Sequence, residues 1–250
     1  MRRLGGPGPR SEQRGHMSDL MRTAFATPRK PASHRVMRCL TPALLAVTLL
    51  IVAAEAAAPV TVLFNGRDLA GWEFVGIPAT DISTVCTVRS DGIIAAAGQP
   101  VGFISTTAIF ANYSLHAEWR WPGKPGNGGV LVPISSGPKD RAWPLSFQVQ
   151  TKNKSVGDLL PMAGATFAEP LTSAPGAATP IKAHTAADSE KPAGEWNTCD
   201  VTCRSDTIEV VINGVLQNRV TGCSVAAGKI GFQFEGVPFE LRSVSLTRLD

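Results

Sequence analysis

Residues 207–220 have the sequence TIEVVINGVLQNRV, and they carry the clearest structural signal in the chain. Two segments rich in β-branched residues flank the dipeptide Asn213-Gly214. Asn and Gly both tolerate the positive φ that a two-residue type I′ turn requires, so this stretch predicts a β-hairpin.

Short strands of the same kind recur on both sides of this hairpin. Most alternate apolar and polar residues and end at turn signals such as Asn65-Gly66 and Asp91-Gly92. The predicted strands cover residues 60–64, 84–89, 93–97, 114–121, 130–134, 145–151, 196–203, 207–212, 215–220, 229–235 and 239–249. The sequence therefore predicts an all-β fold, a two-sheet antiparallel sandwich or jelly roll, as a single domain over residues 58–250.

An apolar stretch of 15 residues, 40–54, precedes this domain. It is too short for a comfortable transmembrane helix, and the small residues that follow it are typical of a signal-peptide cleavage site. We therefore expect residues 1–57 to be a leader and the mature protein to be secreted or periplasmic, without a transmembrane span; an uncleaved anchor is the alternative. Residues 1–36 are too long for an ordinary n-region, which suggests a misassigned start, with Met37 or an earlier methionine as initiator.

Charge is unevenly distributed along the chain. The whole sequence has 24 Lys+Arg and 20 Asp+Glu, a formal net charge of +4. Nine of the basic and three of the acidic residues lie within residues 1–57, so residues 58–250 keep 15 basic and 17 acidic residues, a net charge of −2. A mildly acidic domain gives no reason to expect nucleic acid as a partner.

Four cysteines follow the leader: Cys86, Cys199, Cys203 and Cys223. An even number of cysteines behind an export signal favours disulfides. Cys199 and Cys203 share a predicted strand and lie roughly 13 Å apart along it, too far for a bond between them. Of the two remaining pairings we favour Cys203–Cys223 with Cys86–Cys199, and buried free thiols are the alternative.

Residues 159–195 interrupt the series of short strands. They contain five prolines and many Ala, Ser and Thr residues. A connection of this length in a compact domain is usually either a functional lid or a disordered segment, and the sequence does not decide between them.

Strand parity separates a core face from a polar face, because alternate side chains of a strand point to opposite sides. The predicted core set is Leu115, Ala117, Trp119, Trp121, Phe147, Val149, Ile230, Phe232 and Phe234. The predicted polar set includes Glu118, Arg120, Gln148, Gln150, Gln233 and Glu235. If the three strands share a sheet, the polar set lines one outer face, and amides and carboxylates there suit a hydroxyl-rich ligand. An ordinary solvated outer face is the alternative.

Most motifs of catalysis and cofactor binding are absent. The sequence has no Gly-x-Gly-x-x-Gly after a strand, no Walker loop and no Gly-x-Ser-x-Gly elbow. His116 and His184 are the only histidines after residue 57, which disfavours a Ser-His-Asp triad and a zinc site. Stacking on sugar rings would fall to Trp72, Trp143 or Trp196, although each is more often a core residue.

Six short segments form a distinctive series along the chain. They are LFNGRDLAGW at 63–72, EWRW at 118–121, GNGGVL at 126–131, KPAGEWNT at 191–198, NGVL at 213–216 and GKIGFQ at 228–233. Together they resemble the 3-keto-disaccharide hydrolase family, and the resemblance covers about residues 60–250. It implies a concanavalin- or LamG-like jelly roll that is exported and acts on carbohydrates.

The resemblance also implies an activity, the cleavage of glycosides that carry a ketone at C3. The ketone acidifies the C2–H, so a base removes that proton, the C1 aglycone leaves by β-elimination, and water adds. Such a reaction needs a carboxylate or imidazole base and a cation, a donor or a divalent metal at the C3 oxygen. We expect Glu118 or Glu195 to be the base or a metal ligand and Arg120 to clamp the oxyanion or the substrate. The expected substrate-binding residues are Asn127, Gln148, Gln150, Asp158, Gln233 and Glu235.

Two positions depart from the family pattern. Gln148 stands where relatives carry Glu, and Asn153 stands where they carry His, so neither side chain ionises near neutral pH. Glu118, Arg120 and Glu195 favour a hydrolase or lyase of 3-keto-glycosides, although Glu195 could instead cap a local turn. Gln148 and Asn153 favour a non-catalytic carbohydrate-binding module on the same fold, and a structural or adhesive surface domain is a third hypothesis.

Overall fold

The computed structural model describes residues 58–250; the predicted leader, with its apolar stretch at residues 40–54, lies outside the described residues. The described part of the chain contains fifteen β-strands and one short helix. They are β1 (Val60–Val62), β2 (Trp72–Gly76), α1 (Ile82–Val85), β3 (Cys86–Val88), β4 (Ile94–Ala96), β5 (Gly102–Thr106), β6 (Phe110–Ala111), β7 (Tyr113–Arg120), β8 (Gly129–Asp140), β9 (Trp143–Gln150), β10 (Leu159–Met162), β11 (Asn197–Arg204), β12 (Thr207–Ile212), β13 (Val215–Val220), β14 (Ala227–Phe234) and β15 (Phe239–Arg248). Among residues 58–250, no helix is long and apolar enough to cross a membrane.

The strands form two antiparallel sheets that pack against each other. The eight-stranded sheet has the order β13-β12-β11-β7-β15-β4-β3, and β1 also pairs with β15. The seven-stranded sheet has the order β10-β9-β8-β14-β5-β2, and β6 also pairs with β14. The predicted all-β, two-sheet antiparallel jelly-roll sandwich is confirmed.

The core lies between the two sheets and contains the apolar residues that strand parity predicted. Each of the nine residues of that set is no more than 3% exposed. Burial of a large apolar side chain contributes roughly 1.5–3 kcal/mol, so these residues hold the sheets together. Leu115 and Ala117 come from the eight-stranded sheet, and Phe147, Val149 and Phe232 come from the seven-stranded sheet.

The hairpin at residues 207–220 forms as predicted, with β12 and β13 at the expected bounds. Asn213 has a φ of 51° and Gly214 a φ of 80°, which is the left-handed conformation that the type I′ turn requires. The predicted strand at residues 84–89 differs, because its start is helical. The Asp81 side chain caps this helix by accepting from the Ser83 N–H at 2.8 Å, so β3 begins only at Cys86.

Residues 163–195, which we call the seam segment, lead from β10 to β11 in the chain and contact both β10 and β13, the outermost strands on this side of the two sheets. At one side, Leu159 of β10 exchanges two backbone hydrogen bonds of 2.9 Å with Lys182. At the other side, the Thr185 N–H donates to the carbonyl oxygen of Gln217 on β13 at 2.8 Å. Asn218 of β13 joins the two sides, because its amide donates to the Lys182 carbonyl at 3.1 Å. The long connection is therefore an ordered closure of the sandwich along β10 and β13.

The predicted disulfides do not form, because all four cysteines within residues 58–250 are buried free thiols. Cys86 and Cys199 lie on β3 and β11, which are four strands apart in one sheet and hence separated by roughly 19 Å. Cys203 and Cys223 are neighbours but remain unbonded, and burial raises the pKa of each thiol to about 12. These residues behave as small apolar core residues, which is why an even count misled the prediction.

Candidate functional site

The polar residues predicted for one outer face lie on two different sheets. Glu118 and Arg120 belong to β7 of the eight-stranded sheet, whereas Gln148 on β9 and Gln233 on β14 belong to the seven-stranded sheet. The condition that the three strands share a sheet is therefore not met, and the two polar sets lie on opposite sides of the sandwich. Parity assigns a side chain to one side of its own strand, but it does not say which sheet the strand joins.

The outer face of the seven-stranded sheet carries a groove of about 690 Å³. This volume lies within the range of sites for small-molecule ligands. The groove brings together five of the six predicted substrate-binding residues, Asn127, Gln148, Gln150, Gln233 and Glu235.

Three glutamines form the floor of this groove. Gln148 and Gln150 are two residues apart on β9, so parity directs both side chains to the outer face. The Gln148 Nε2 donates to the Gln150 Oε1 at 2.8 Å and, more weakly, to the Gly128 carbonyl oxygen at 3.4 Å. Gln233 lies on β14, which is separated from β9 only by β8. The floor therefore presents uncharged amides.

Gly129 of β8 allows the Gln148 side chain to lie flat on the sheet. A Cβ at position 129 would come within 2.5 Å of the Gln148 Cγ and 2.8 Å of its Nε2. Any other residue would lift the amide off the floor, so Gly129 defines the depth of the groove at this point.

Two carbonyl oxygens of the floor amides are unsatisfied. The Oε1 atoms of Gln148 and Gln233 are buried and have no hydrogen-bond partner among residues 58–250, in side chains that are 2% and 4% exposed. Buried polar atoms in folded proteins are nearly always hydrogen-bonded, so orphaned acceptors require an explanation. Turning the amides toward the groove would let hydroxyl groups of a ligand satisfy them, because an amide oxygen accepts from a hydroxyl.

Glu235 is the half-buried carboxylate of the groove, and it follows β14 directly. Burial raises the pKa of its carboxyl, and Lys152, Arg141 and a hydrogen bond from Asn127 oppose this effect without cancelling it. The three opposing side chains also line the groove. A carboxylate with a raised pKa beside two cations has the character of a general base next to an oxyanion site.

The opposite wall of the groove is apolar and comes from β10 and the seam segment. Its lining residues are Leu160, Pro161, Met162, Ala163, Ala178, Thr179, Pro180 and Ile181. Thr179 is the one member of this set whose side chain can donate a hydrogen bond. The groove is thus apolar on the side of β10, whereas the floor amides lie on β9 and β14 and Glu235 directly follows β14; Ile77 and Val101 line it beyond β14.

Asp158 is the predicted substrate-binding residue that does not line the groove. Its Oδ1 accepts from the backbone N–H of His184 at 2.8 Å and lies 2.6 Å from the His184 Nδ1. Asp158 is buried and precedes β10, so it fastens the seam segment to the sandwich.

Glu118, Arg120 and Glu195, the three residues expected to be catalytic, lie away from the groove. Glu118 accepts from the Arg242 Nε at 2.7 Å. The Arg120 Nε donates at 2.6 Å to the buried carboxylate of Glu240. Glu195 is exposed, and its backbone N–H donates to the Pro192 carbonyl at 3.0 Å, which closes a local turn.

The three tryptophans considered as stacking platforms have different surroundings. Trp72 is a core residue, and its indole N–H donates to the Leu63 carbonyl oxygen at 2.8 Å. Trp196 is covered by the guanidinium groups of Arg120 and Arg242, which lie 4.5 Å and 4.2 Å from its ring centroid. Trp143 alone among these three lines the groove.

The described residues, 58–250, contain no group of three or more His, Cys, Asp or Glu side chains arranged to hold a metal ion. Asn153, one of the two departures from the family pattern, does not line the groove; its amide donates to the Glu190 Oε2 at 2.8 Å. Gln148, the other departure, lies on the groove floor.

Sequence reasoning missed the two cations beside Glu235. Lys152 continues the alternation of Gln148 and Gln150, so parity extended by two residues would have found it. Arg141 lies in the turn between β8 and β9, and no spacing rule predicts that this turn reaches the groove.

The fold and the site together are those of a jelly-roll sandwich with an amide-floored groove on one sheet. The match of the sequence is more specific. The family model described as a 3-keto-alpha-glucoside-1,2-lyase-like domain matches residues 59–247, and the chain belongs to this family. No curated protein matches the sequence.

Solved structures share the fold at low sequence identity. A candidate glycosyl hydrolase from Parabacteroides distasonis is 20% identical with a TM-score of 0.57, over 76% of this chain and 94% of that one. A second from the same organism is 19% identical with a TM-score of 0.54, over 76% and 100%. The carbohydrate-binding module CBM66 from Bacillus subtilis is 12% identical with a TM-score of 0.50, over 72% and 97%. At these identities the similarity concerns the fold alone.

Proposed function

We propose that this protein cleaves 3-keto-glycosides by β-elimination, with the sugar bound in the groove of the seven-stranded sheet and Glu235 as the base. One observation carries the proposal: a half-buried carboxylate with a raised pKa lies beside Lys152 and Arg141 in a groove with a floor of amides. Membership of a family described as 3-keto-alpha-glucoside-1,2-lyase-like supports the choice of substrate. An exported location, which the predicted leader suggests, belongs to the same proposal.

The reaction needs only one base and one site for negative charge. The Glu235 carboxylate removes the proton from C2, and the electrons of the C2–H bond form an enolate whose charge rests on the C3 oxygen. The cations of Lys152 and Arg141, which line the groove, stabilise this charge. The enolate then collapses to a C1–C2 double bond and expels the C1 oxygen, which takes the proton from Glu235. Addition of water to the resulting enone completes a hydrolysis.

The floor amides hold the sugar over this base. Gln148 and Gln233 each have an unsatisfied Oε1, so each can accept from a sugar hydroxyl that does not react. Because Gln148 and Gln150 are already joined by a hydrogen bond, their amides are oriented before the ligand arrives, which lowers the entropic cost of binding.

A carbohydrate-binding module is the second candidate, and the floor itself favours it. All three floor side chains are uncharged, and the family resemblance of the sequence implies Glu at the position of Gln148. If the missing carboxylate is essential, the groove binds the sugar without turning it over.

Turnover of a 3-keto-glucoside with a chromogenic aglycone tests the proposal, with and without EDTA. We expect the Glu235→Gln variant to lose at least a hundredfold in kcat, the usual contribution of a general base. Glu118→Gln and Glu195→Gln are the matched controls, because both remove a carboxylate that lies outside the groove.

The possible results separate the hypotheses. Loss of release in Glu235→Gln alone supports the proposal, and loss in Glu118→Gln instead moves the chemistry to the eight-stranded sheet. Saturable binding of the ketosugar without release, in the unmodified protein, identifies a carbohydrate-binding module.

A further inference from the structure

We infer that the apolar end of the groove, together with a second cavity beside it, binds an apolar aglycone and not a second sugar. The inference rests on the proposed function in one respect, that the glycosyl ring occupies the amide floor. It goes further by naming the chemical class of the group attached to C1.

The second cavity adjoins the groove directly. Its volume is about 240 Å³, and Pro161 and Pro180 line both it and the groove. Phe167 and Leu171 of the seam segment form its apolar sides. A ligand that passes over the two prolines therefore moves from one apolar surface to another.

The second cavity has few polar side chains, and its one charged side chain, Glu169, is already hydrogen-bonded. Both carboxylate oxygens of Glu169 accept from Thr221, from the backbone N–H at 2.8 Å and from the hydroxyl at 2.9 Å. Thr166 is the remaining lining residue with a polar side chain. Glu169 thus supports the cavity wall, and each of its two oxygens already has a hydrogen-bond partner.

A second sugar ring would bind poorly at this end of the groove. Each of its hydroxyl groups would leave water, and a polar group that is buried without a hydrogen bond costs free energy. The wall of β10 and the seam segment offers the hydroxyl of Thr179 as its only side-chain partner. An apolar aglycone meets no such penalty and gains from burial.

Leu171 is the apolar side chain of the second cavity that a bound aglycone would cover. It lines the cavity, yet its side chain is 44% exposed. A bound apolar chain would remove this leucine from water. Because β14 and β10 are three strand spacings apart, roughly 14 Å, the aglycone has to be longer than a methyl group to reach it.

Binding of alkyl glucosides tests the inference without any turnover. Calorimetry would compare methyl, butyl, hexyl and octyl glucosides of one anomer, below their micellar concentrations, with maltose as the disaccharide. We expect affinity to rise about three- to fourfold for each methylene beyond butyl. Leu171→Gln should weaken octyl glucoside about five- to tenfold and leave methyl glucoside unchanged. Leu216→Gln is the matched control, because Leu216 is 48% exposed and lies on β13, outside both cavities.

Affinity that does not depend on chain length, an equal response of the two leucine variants, or maltose binding tighter than octyl glucoside would each overturn the inference. Failure of the proposed function is distinguishable from these results. A chain-length series that behaves as expected, in a protein that does not turn over any 3-keto-glucoside, removes the lyase chemistry and leaves the aglycone site in place.

Discussion

Partial burial of a carboxylate such as Glu235 has two effects with one cause: compared with an exposed carboxylate it is a stronger base, and its charged form is less favourable in the folded protein. Desolvation raises its pKa, which favours proton abstraction near neutral pH, and the same desolvation disfavours the charged form in the folded state. The desolvation that makes the Glu235 carboxylate lower the free energy of unfolding is therefore the same effect that makes it a stronger base.

This coupling predicts two pH dependences for Glu235. The pKa of Glu235 is higher in the folded protein than in the unfolded chain, so folding favours the protonated carboxyl. The contribution of protonated Glu235 to the free energy of unfolding is therefore lost as the pH rises through the folded pKa. Glu235→Gln should therefore raise the melting temperature at pH 7 and leave it unchanged at pH 4. In the unmodified enzyme, kcat/KM should fall on the acid side with a midpoint above the usual glutamate pKa of 4.5.

Lys152→Met is the control for the electrostatic part of this prediction. Lys152 holds the pKa of Glu235 down, so its removal should move the acid limb to higher pH. A profile with its midpoint at or below the ordinary glutamate value would contradict the assignment of Glu235 as the base.

At the level of elements, strands marked by turn residues or by an alternating sequence were predicted, and strands without such signals were missed. β12 and β13 formed at the predicted bounds, since their turn chemistry and patterns agree. β5 was missed because all five of its residues are buried, so it has no polar alternation to detect. β8 extends well beyond the predicted residues 130–134, and two register shifts within its pairing to β9 interrupt the pattern.

The seam segment depends on Asp158, and this gives an element-scale prediction. Replacing Asp158 by Ala leaves the His184 N–H without its acceptor, at a cost of about 1–3 kcal/mol. We expect faster amide hydrogen exchange at residues 182–186, measured by mass spectrometry, while β7 and β11 keep their protection. Asp206→Ala in the turn between β11 and β12 is the control and should not change exchange in that window. Equal exchange in both variants would show that Asp158 does not fasten the segment.

At the level of the whole molecule, the sequence could not show which face holds the site. Glu118 and Gln148 both lie on the polar sides of their strands, as predicted, but the sheets they join face opposite ways. Strand order depends on contacts between residues that are distant in sequence, and alternation within a strand does not record those contacts. The residues of β9 and β14 that were expected to bind substrate thus lie together in one groove, and the residues expected to be catalytic lie on the other sheet.

The four buried thiols give a whole-molecule prediction. Because burial raises the pKa of Cys86, Cys203 and Cys223 to about 12 and that of Cys199 even further, none is a thiolate in the native state. We expect no reaction of these four with Ellman's reagent until the protein is unfolded, and no change of melting temperature on adding dithiothreitol. A lower melting temperature in reductant would demonstrate a disulfide.

The seam segment supplies the apolar wall of the groove and also covers the outermost strands β10 and β13. Evolution can therefore vary the floor amides without exposing sheet edges, because Gln148 and Gln233 lie on interior strands. Substitutions that reshape the wall act on the same segment that covers the two edges and keeps them from pairing with those of another molecule. Among relatives, substitutions in the wall that alter the preference for an aglycone should therefore occur together with substitutions in β10 or β13 that keep these edges covered. A variant with an uncovered edge would aggregate.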